Sequence, residues 1–196
     1  MKMSTNLSVL ALFLFISHLE LASSATTTTT KVPIKYTNFI RNKCATTTYA
    51  SLCTKTLIPY ASKVRTNTLT LCKTALNVAI QGASKATKAV SELTKQKNIS
   101  RVEAAAIKDC IEDMKDAVYE LKQTVDAMGH LGDADKKFQW ANAKTWASAA
   151  ITDTDSCMDG FSGSKVSKTV QNKIKGNIQN VARLTSNALS LINHLY

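Results

Sequence analysis

The sequence predicts an all-α fold: an up-down-up-down four-helix bundle with an N-terminal helical hairpin extension. Three observations carry this. Apolar residues recur in steps of three and four over long stretches, the period of one helix face. Proline, which breaks helices, occurs only at Pro33 and Pro59, both in the N-terminal third. The long stretches are joined by short connections, which make neighbouring helices antiparallel.

The chain opens with a targeting pattern. Lys2 gives a positive start, Leu7 to Ile16 is an apolar run broken only by Ser8, and small residues follow at Ala22, Ser23, Ser24 and Ala25. This predicts a signal peptide over 1–25. The run is shorter than the roughly 20 apolar residues a membrane span needs, and no second long run follows. The mature product is expected to be secreted, with no membrane partner. Thr26 to Thr30 cannot bury apolar surface, so 26–35 reads as a flexible lead-in. The folded domain is expected over 36–196, the hairpin at 36–60 and the bundle at 66–196.

The first bundle helix carries Leu69, Cys72, Leu76, Ala79, Ala83, Ala86, Val90 and Leu93 on one stripe. Its alanines let a neighbour approach closely, and it is expected to stop near Lys97 and Asn98. Ser100 with Glu103 three residues on predicts a capping box for the second. That helix carries Val102, Ala106, Cys110, Met114, Ala117, Leu121, Val125 and Met128. Gly129 and Gly132 bracket a turn around His130. Asp133 or Asp135 opens the third helix, which runs through Phe138, Trp140, Trp146 and Ile151 to about Met158. Gly160 and Gly163 interrupt the chain, and Ser164 is expected to cap the last helix. Its stripe is Val166, Val170, Ile174, Ile178, Val181, Leu184, Ala188, Leu191 and Leu195.

Five cysteines in an exported chain suggest disulfides with one thiol left over. Cys110 and Cys157 flank the turn near Leu131 at comparable distances. On antiparallel helices rising about 1.5 Å per residue they come within roughly two turns of each other. A Cys110–Cys157 bond would tie those helices together far from their turn. Cys44 and Cys53 are close in sequence, and a bond there would close the hairpin. Cys72 lies on an apolar stripe and is either a buried, inert thiol or the link of a disulfide dimer. No Cys-x-x-Cys occurs, and none of the three histidines stands at ligand spacing from a cysteine, so no metal is expected.

The formal net charge is +11. We find no basic run interleaved with aromatic residues, and export also argues against nucleic acid. The lysines are spread through every helix, as on a solvated surface. There is no P-loop, no Gly-x-Ser-x-Gly and no His-Glu-x-x-His, so neither an enzyme nor a cofactor is expected.

Three segments resemble a known family. They are the Asp-Cys-Ile-Glu stretch from Ile107 to Val118, the Trp-Ala-Ser-Ala-Ala…Cys-Met-Asp-Gly-Phe stretch from Thr145 to Phe161, and Thr185 to Ile192. The chain resembles the plant invertase and pectin methylesterase inhibitors over nearly all of its mature length. The resemblance implies a four-helix bundle after a helical hairpin, with first-to-second and third-to-fourth cysteine pairing. Here those pairs are Cys44–Cys53 and Cys110–Cys157, the ones spacing selects, and Cys72 is the extra thiol. The wording of the middle segment is closer to the pectin methylesterase branch.

The implied mechanism breaks no bond. The bundle covers the pectin-binding cleft of its target, and carboxylates stand in for those of galacturonate. Carried over by the Asp-Cys-x-Glu motif, Glu112 and Asp116 are implied as partner contacts. Carried over by the Cys-x-Asp-Gly-Phe motif, so are Ser156 and Asp159, with serine where the family often has threonine. The tryptophans read as packing residues rather than sugar platforms. Asn98-Ile99-Ser100 is an N-glycosylation sequon at a helix–helix turn. The competing readings are an invertase inhibitor and a basic wall protein that holds de-esterified pectin through its lysines.

Overall fold

The computed structural model describes residues 32–162 and 166–196. The signal peptide and the threonine tract lie outside the described residues, as does Ser164. Within the described residues every regular element is helical.

Helices α1 (Ile34–Cys44) and α2 (Ala50–Leu57) form the hairpin. The Cys44–Cys53 bond closes it, with Cα atoms 5.5 Å apart. A 3-10 turn at Ile58–Tyr60 accommodates Pro59 in its first turn, where a missing N–H costs nothing, and leads into α3 (Ala61–Val64). Ile40, Cys44, Cys53 and Leu57 are buried, so the hairpin is a lid on the core and not a loose appendage.

The bundle is α4 (Thr68–Leu93), α5 (Arg101–Ala127), α6 (Lys136–Asp159) and α7 (Lys168–Asn193). Each packs on two of the others: α4 and α6 both touch α5 and α7. The apolar stripes explain this. Ala79, Ala83 and Ala86 of α4, and Ala143, Ala147 and Ala150 of α6, are buried and let α5 and α7 pack closely on them. Met114, Leu121, Ile174, Ile178 and Leu191 fill the space between. Five stripe positions differ from expectation. Val102 is 47% exposed, and Leu69, Ala106, Val125 and Leu195 are half-buried.

The ends of the helices show where local chemistry decides. Asn67 caps α4 by accepting from the Thr70 N–H. That helix ends at Leu93, earlier than expected, and turns over 94–98. Asn98 closes the turn at φ 74°, a left-handed conformation asparagine tolerates better than most residues. The Ser100–Glu103 capping box is formed at α5. A Cβ at Gly129 would sit 2.8 Å from the Asp126 carbonyl oxygen, which explains why glycine follows α5. Asp135 precedes α6, but its side chain makes no capping bond and instead accepts from Gln139. The cap of α7 is Ser167, whose hydroxyl accepts from the Val170 N–H, three residues later than the serine expected from the sequence.

Candidate functional site

The Cys110–Cys157 bond joins α5 to α6 with Cα atoms 4.2 Å apart. Both cysteines are buried, so this staple fixes the register of the two outer faces beside it. Glu112 and Asp116 follow Cys110 by two and six residues, so they sit about 3 and 9 Å along α5 from it. At about 100° per residue they point to one side, away from the staple. Both are exposed, and Glu112 Oε1 pairs with Lys115 Nζ at 3.0 Å. Ser156 and Asp159 flank Cys157 on α6 and are also exposed. The Asp159 carbonyl accepts from the Ser162 N–H and hydroxyl, which holds the end of α6.

Two features of this face are absent from the sequence reading. One is a row of acids on the α5 flank next to α6: Asp109, Asp113, Asp116 and Glu120, spaced by four, three and four residues. Glu120 meets Asp153 of α6 there. Glu120 Oε2 and Asp153 Oδ2 are buried, and neither has a hydrogen-bond partner among the described residues. Burial and the neighbouring Asp153 and Asp116 push Glu120 up to about 7. Burial raises Asp153, and burial with Asp153, Asp109 and Asp116 raises Asp113. The four-three-four spacing was visible in the sequence. Its partner on α6 was not, because it depends on the stapled register.

The other feature is Tyr119. It is 56% exposed on the same side of α5 as Glu112 and Asp116, with its ring edge against Trp146 of α6, centroids 6.4 Å apart. Trp146 is half-buried, which fits its reading as a packing residue.

Eight of the fourteen acidic residues fall on this part of α5 and α6: Asp109, Glu112, Asp113, Asp116, Glu120, Asp153, Asp155 and Asp159. Helix α7, by contrast, has no acidic residue at all. A protein of net charge +11 therefore carries a concentrated acidic face. Among the described residues no cluster of histidine, cysteine or carboxylate side chains is arranged to hold a metal. No described helix is long and apolar enough to cross a membrane.

The model for plant invertase/pectin methylesterase inhibitors matches residues 38–191. The chain belongs to this family. It is 36% identical over 188 residues to pectinesterase inhibitor 11 of Arabidopsis thaliana, covering 94% of this chain and 93% of that one. It is 42% identical over 161 residues to pectinesterase inhibitor 9 of the same plant, covering 79% of each. Pectinesterase 1 of Citrus sinensis is 28% identical over 159 residues, 80% of this chain but 27% of that protein. A pectin methylesterase inhibitor from Arabidopsis, crystallised in a mutant form, superposes with a TM-score of 0.60 at 21% identity, over 78% of this chain and 94% of that one. A second Arabidopsis inhibitor structure gives 0.55 at 19% identity, over 81% and 97%. At those identities the structures speak for the shared bundle. The family is one of enzyme inhibitors, not of enzymes.

Proposed function

We propose that this chain inhibits pectin methylesterase, by laying the outer α5–α6 face over the enzyme's pectin-binding cleft without covalent chemistry. The observation that carries the proposal is the acidic, outward face held in register by the Cys110–Cys157 staple. A cleft that accepts a polyanion is complementary to such a face. Glu112, Asp116, Ser156 and Asp159 supply polar contacts around the staple. Tyr119 adds an exposed ring of the kind that anchors interfaces. The relatives named as pectinesterase inhibitors favour this enzyme over invertase.

The reading includes export to the cell wall after removal of 1–25, a folded domain beginning near residue 36, and a glycan on Asn98. Asn98 and Ser100 are exposed in the α4–α5 turn, which agrees with that glycan. Mass spectrometry with and without an amidase that strips N-glycans reads it directly.

The deciding experiment adds the purified protein separately to pectin methylesterase and to invertase. The esterase loses activity and the invertase does not. Loss of invertase activity alone would assign the chain to the other branch. Substituting Glu112→Lys together with Asp116→Lys weakens esterase inhibition about tenfold or more, through charge reversal at an interface. Melting temperature changes little, because both side chains are exposed.

A further inference from the structure

Far from the staple, the start of α6 meets the end of α7 and encloses a cleft of about 300 Å³, lined by Lys136, Lys137, Trp140 and Tyr196. Trp140 lies 17 residues before Cys157, so about 25 Å of helix separates this cleft from the staple. The volume is at the lower end of small-molecule sites and suits one sugar ring with its substituents. The sequence reading found no basic run interleaved with aromatics. Residues 136–146 are one: Lys136, Lys137 and Lys144 alternate with Phe138, Trp140 and Trp146.

The two cleft rings are fixed relative to each other. Trp140 Nε1 donates to the Ile192 carbonyl at 3.0 Å, which sets the indole plane. The Tyr196 ring meets it edge to face, centroids 5.9 Å apart and planes at 86°. Lys136 Nζ lies 3.7 Å from the centre of the Tyr196 ring, and Lys144 Nζ 3.7 Å from that of Trp140. Among the described residues, none of Lys136, Lys137 and Lys144 makes an ion pair with a carboxylate. The nearby acids are already engaged. Asp133 Oδ2 bonds His130 Nδ1, Asp126 stands 3.9 Å from His130 Nε2, and Asp135 accepts from Gln139.

We propose that this cleft is a binding subsite for an acidic saccharide, taking one uronate ring of a de-esterified galacturonate chain. The C–H face of a sugar ring matches the flat rings of Trp140 and Tyr196. The carboxylate supplies the charge the three lysines lack. A bare anion would gain nothing from the rings, and a neutral or methyl-esterified sugar nothing from the lysines. In the free protein Lys136 and Lys144 rest on the rings, and such contacts are weak at exposed sites. They swing to the carboxylate when the sugar takes their place. With its acidic face on the enzyme and this basic end on the polymer, the inhibitor can stay on the wall it protects. Only the choice of galacturonate among uronates rests on the inhibitor reading, and the test below contains no enzyme.

The test uses full-length mature protein with Trp146→Phe, leaving Trp140 as the only tryptophan, and titrates it with a purified de-esterified galacturonate oligomer. Trp140 emission changes saturably. The triple Lys136→Ala, Lys137→Ala, Lys144→Ala weakens binding about tenfold or more, as expected for loss of the paired charges. The triple Lys85→Ala, Lys88→Ala, Lys97→Ala, at exposed positions elsewhere, changes it less than about twofold. The proposal is overturned if the oligomer does not bind, if both triples weaken it alike, or if the fully methyl-esterified oligomer binds as tightly. An oligoglutamate of equal charge that binds equally well overturns it too, since the rings would then confer no preference for sugar.

Discussion

Asn187 of α7 grips the backbone of Tyr49 with both ends of its amide. Its Oδ1 accepts from the Tyr49 N–H at 3.0 Å, and its Nδ2 donates to the Tyr49 carbonyl at 3.1 Å. The side chain is 3% exposed, so these two bonds are sheltered from water. They secure the turn between α1 and α2 to the last helix, where the Cys44–Cys53 bond only closes the hairpin on itself. Replacing Asn187 with alanine strips both backbone groups of their partner and costs about 1–3 kcal/mol. Chemical denaturation measures that cost. Hydrogen exchange should show the loss of protection concentrated in α1 and α2, with α5 and α6 unchanged.

Glu103 plays a comparable part at the other end of the bundle. Its Oε2 accepts from the Ser100 N–H at 2.8 Å, and its Oε1 from the Ser167 N–H at 3.0 Å. One carboxylate thus secures the starts of α5 and α7. The Ser167 and Ser100 bonds hold its pKa down to about 2, against an ordinary 4.5. A carboxyl group depressed in the folded state contributes stability above its unfolded pKa and loses it as pH falls through the folded one. The window is therefore from about 4.5 down to about 2. Glu103→Gln keeps the shape but loses the charge, so its melting temperature is lower than the parent's at pH 6 and converges on it at the acid end. Thermal melts across that range measure the difference.

The capping box was legible in the sequence because both of its residues lie within one turn. The second half of Glu103's work was not, since Ser167 is 64 residues away and only the bundle brings it near. The same division runs through the molecule. The helices, their stripes and the buried alanine faces follow from local periodicity. Tyr49–Asn187 and Glu120–Asp153 join elements far apart in the chain, and no local pattern marks them. Of the proposed contact face, the motif around Cys110 and Cys157 pointed to α5 and α6, but Tyr119 was passed over because an aromatic residue in a helix reads by default as core. The end of α4 was misplaced because 94–98 contains neither glycine nor proline, the usual signals of a stop.

The Glu120–Asp153 pair gives stability a slope of the opposite sign. Burial raises both groups, and Glu120 reaches about 7 from an ordinary 4.5. A raised carboxyl favours the fold below its unfolded pKa, and that advantage disappears as pH climbs through the folded value. Stability contributed by the pair thus falls between about 4.5 and about 7, while that from Glu103 falls below 4.5. The two slopes place the maximum in the mildly acid range. Glu120→Gln gives Asp153 a permanent N–H donor and flattens the upper slope. At pH 8 this variant should be the more stable by under about 1 kcal/mol, because solvent reaches the pair and screens it. Urea titrations at pH 5 and pH 8 test the sign, and a parent whose stability rises over that interval would contradict it.

Cys72 is the unpaired cysteine, and its position makes it a packing residue. It is fully buried on α4 between Leu71 and the alanine stripe. Burial pushes the thiol up to about 12, against a small opposing pull from Lys43. A thiol so raised carries almost no thiolate at neutral pH, and the thiolate is the reacting species. The sulfur also has no path to a second molecule while the bundle is folded. The purified protein should run as a monomer on non-reducing electrophoresis. One thiol per chain should react with a disulfide reagent in denaturant and essentially none without it. Cys72→Ala costs about 1 kcal/mol of packing, the scale of one buried methylene-sized group, and leaves the oligomeric state unchanged. A covalent dimer that survives denaturation without reductant and vanishes in Cys72→Ala would show instead that α4 opens far enough to expose this sulfur.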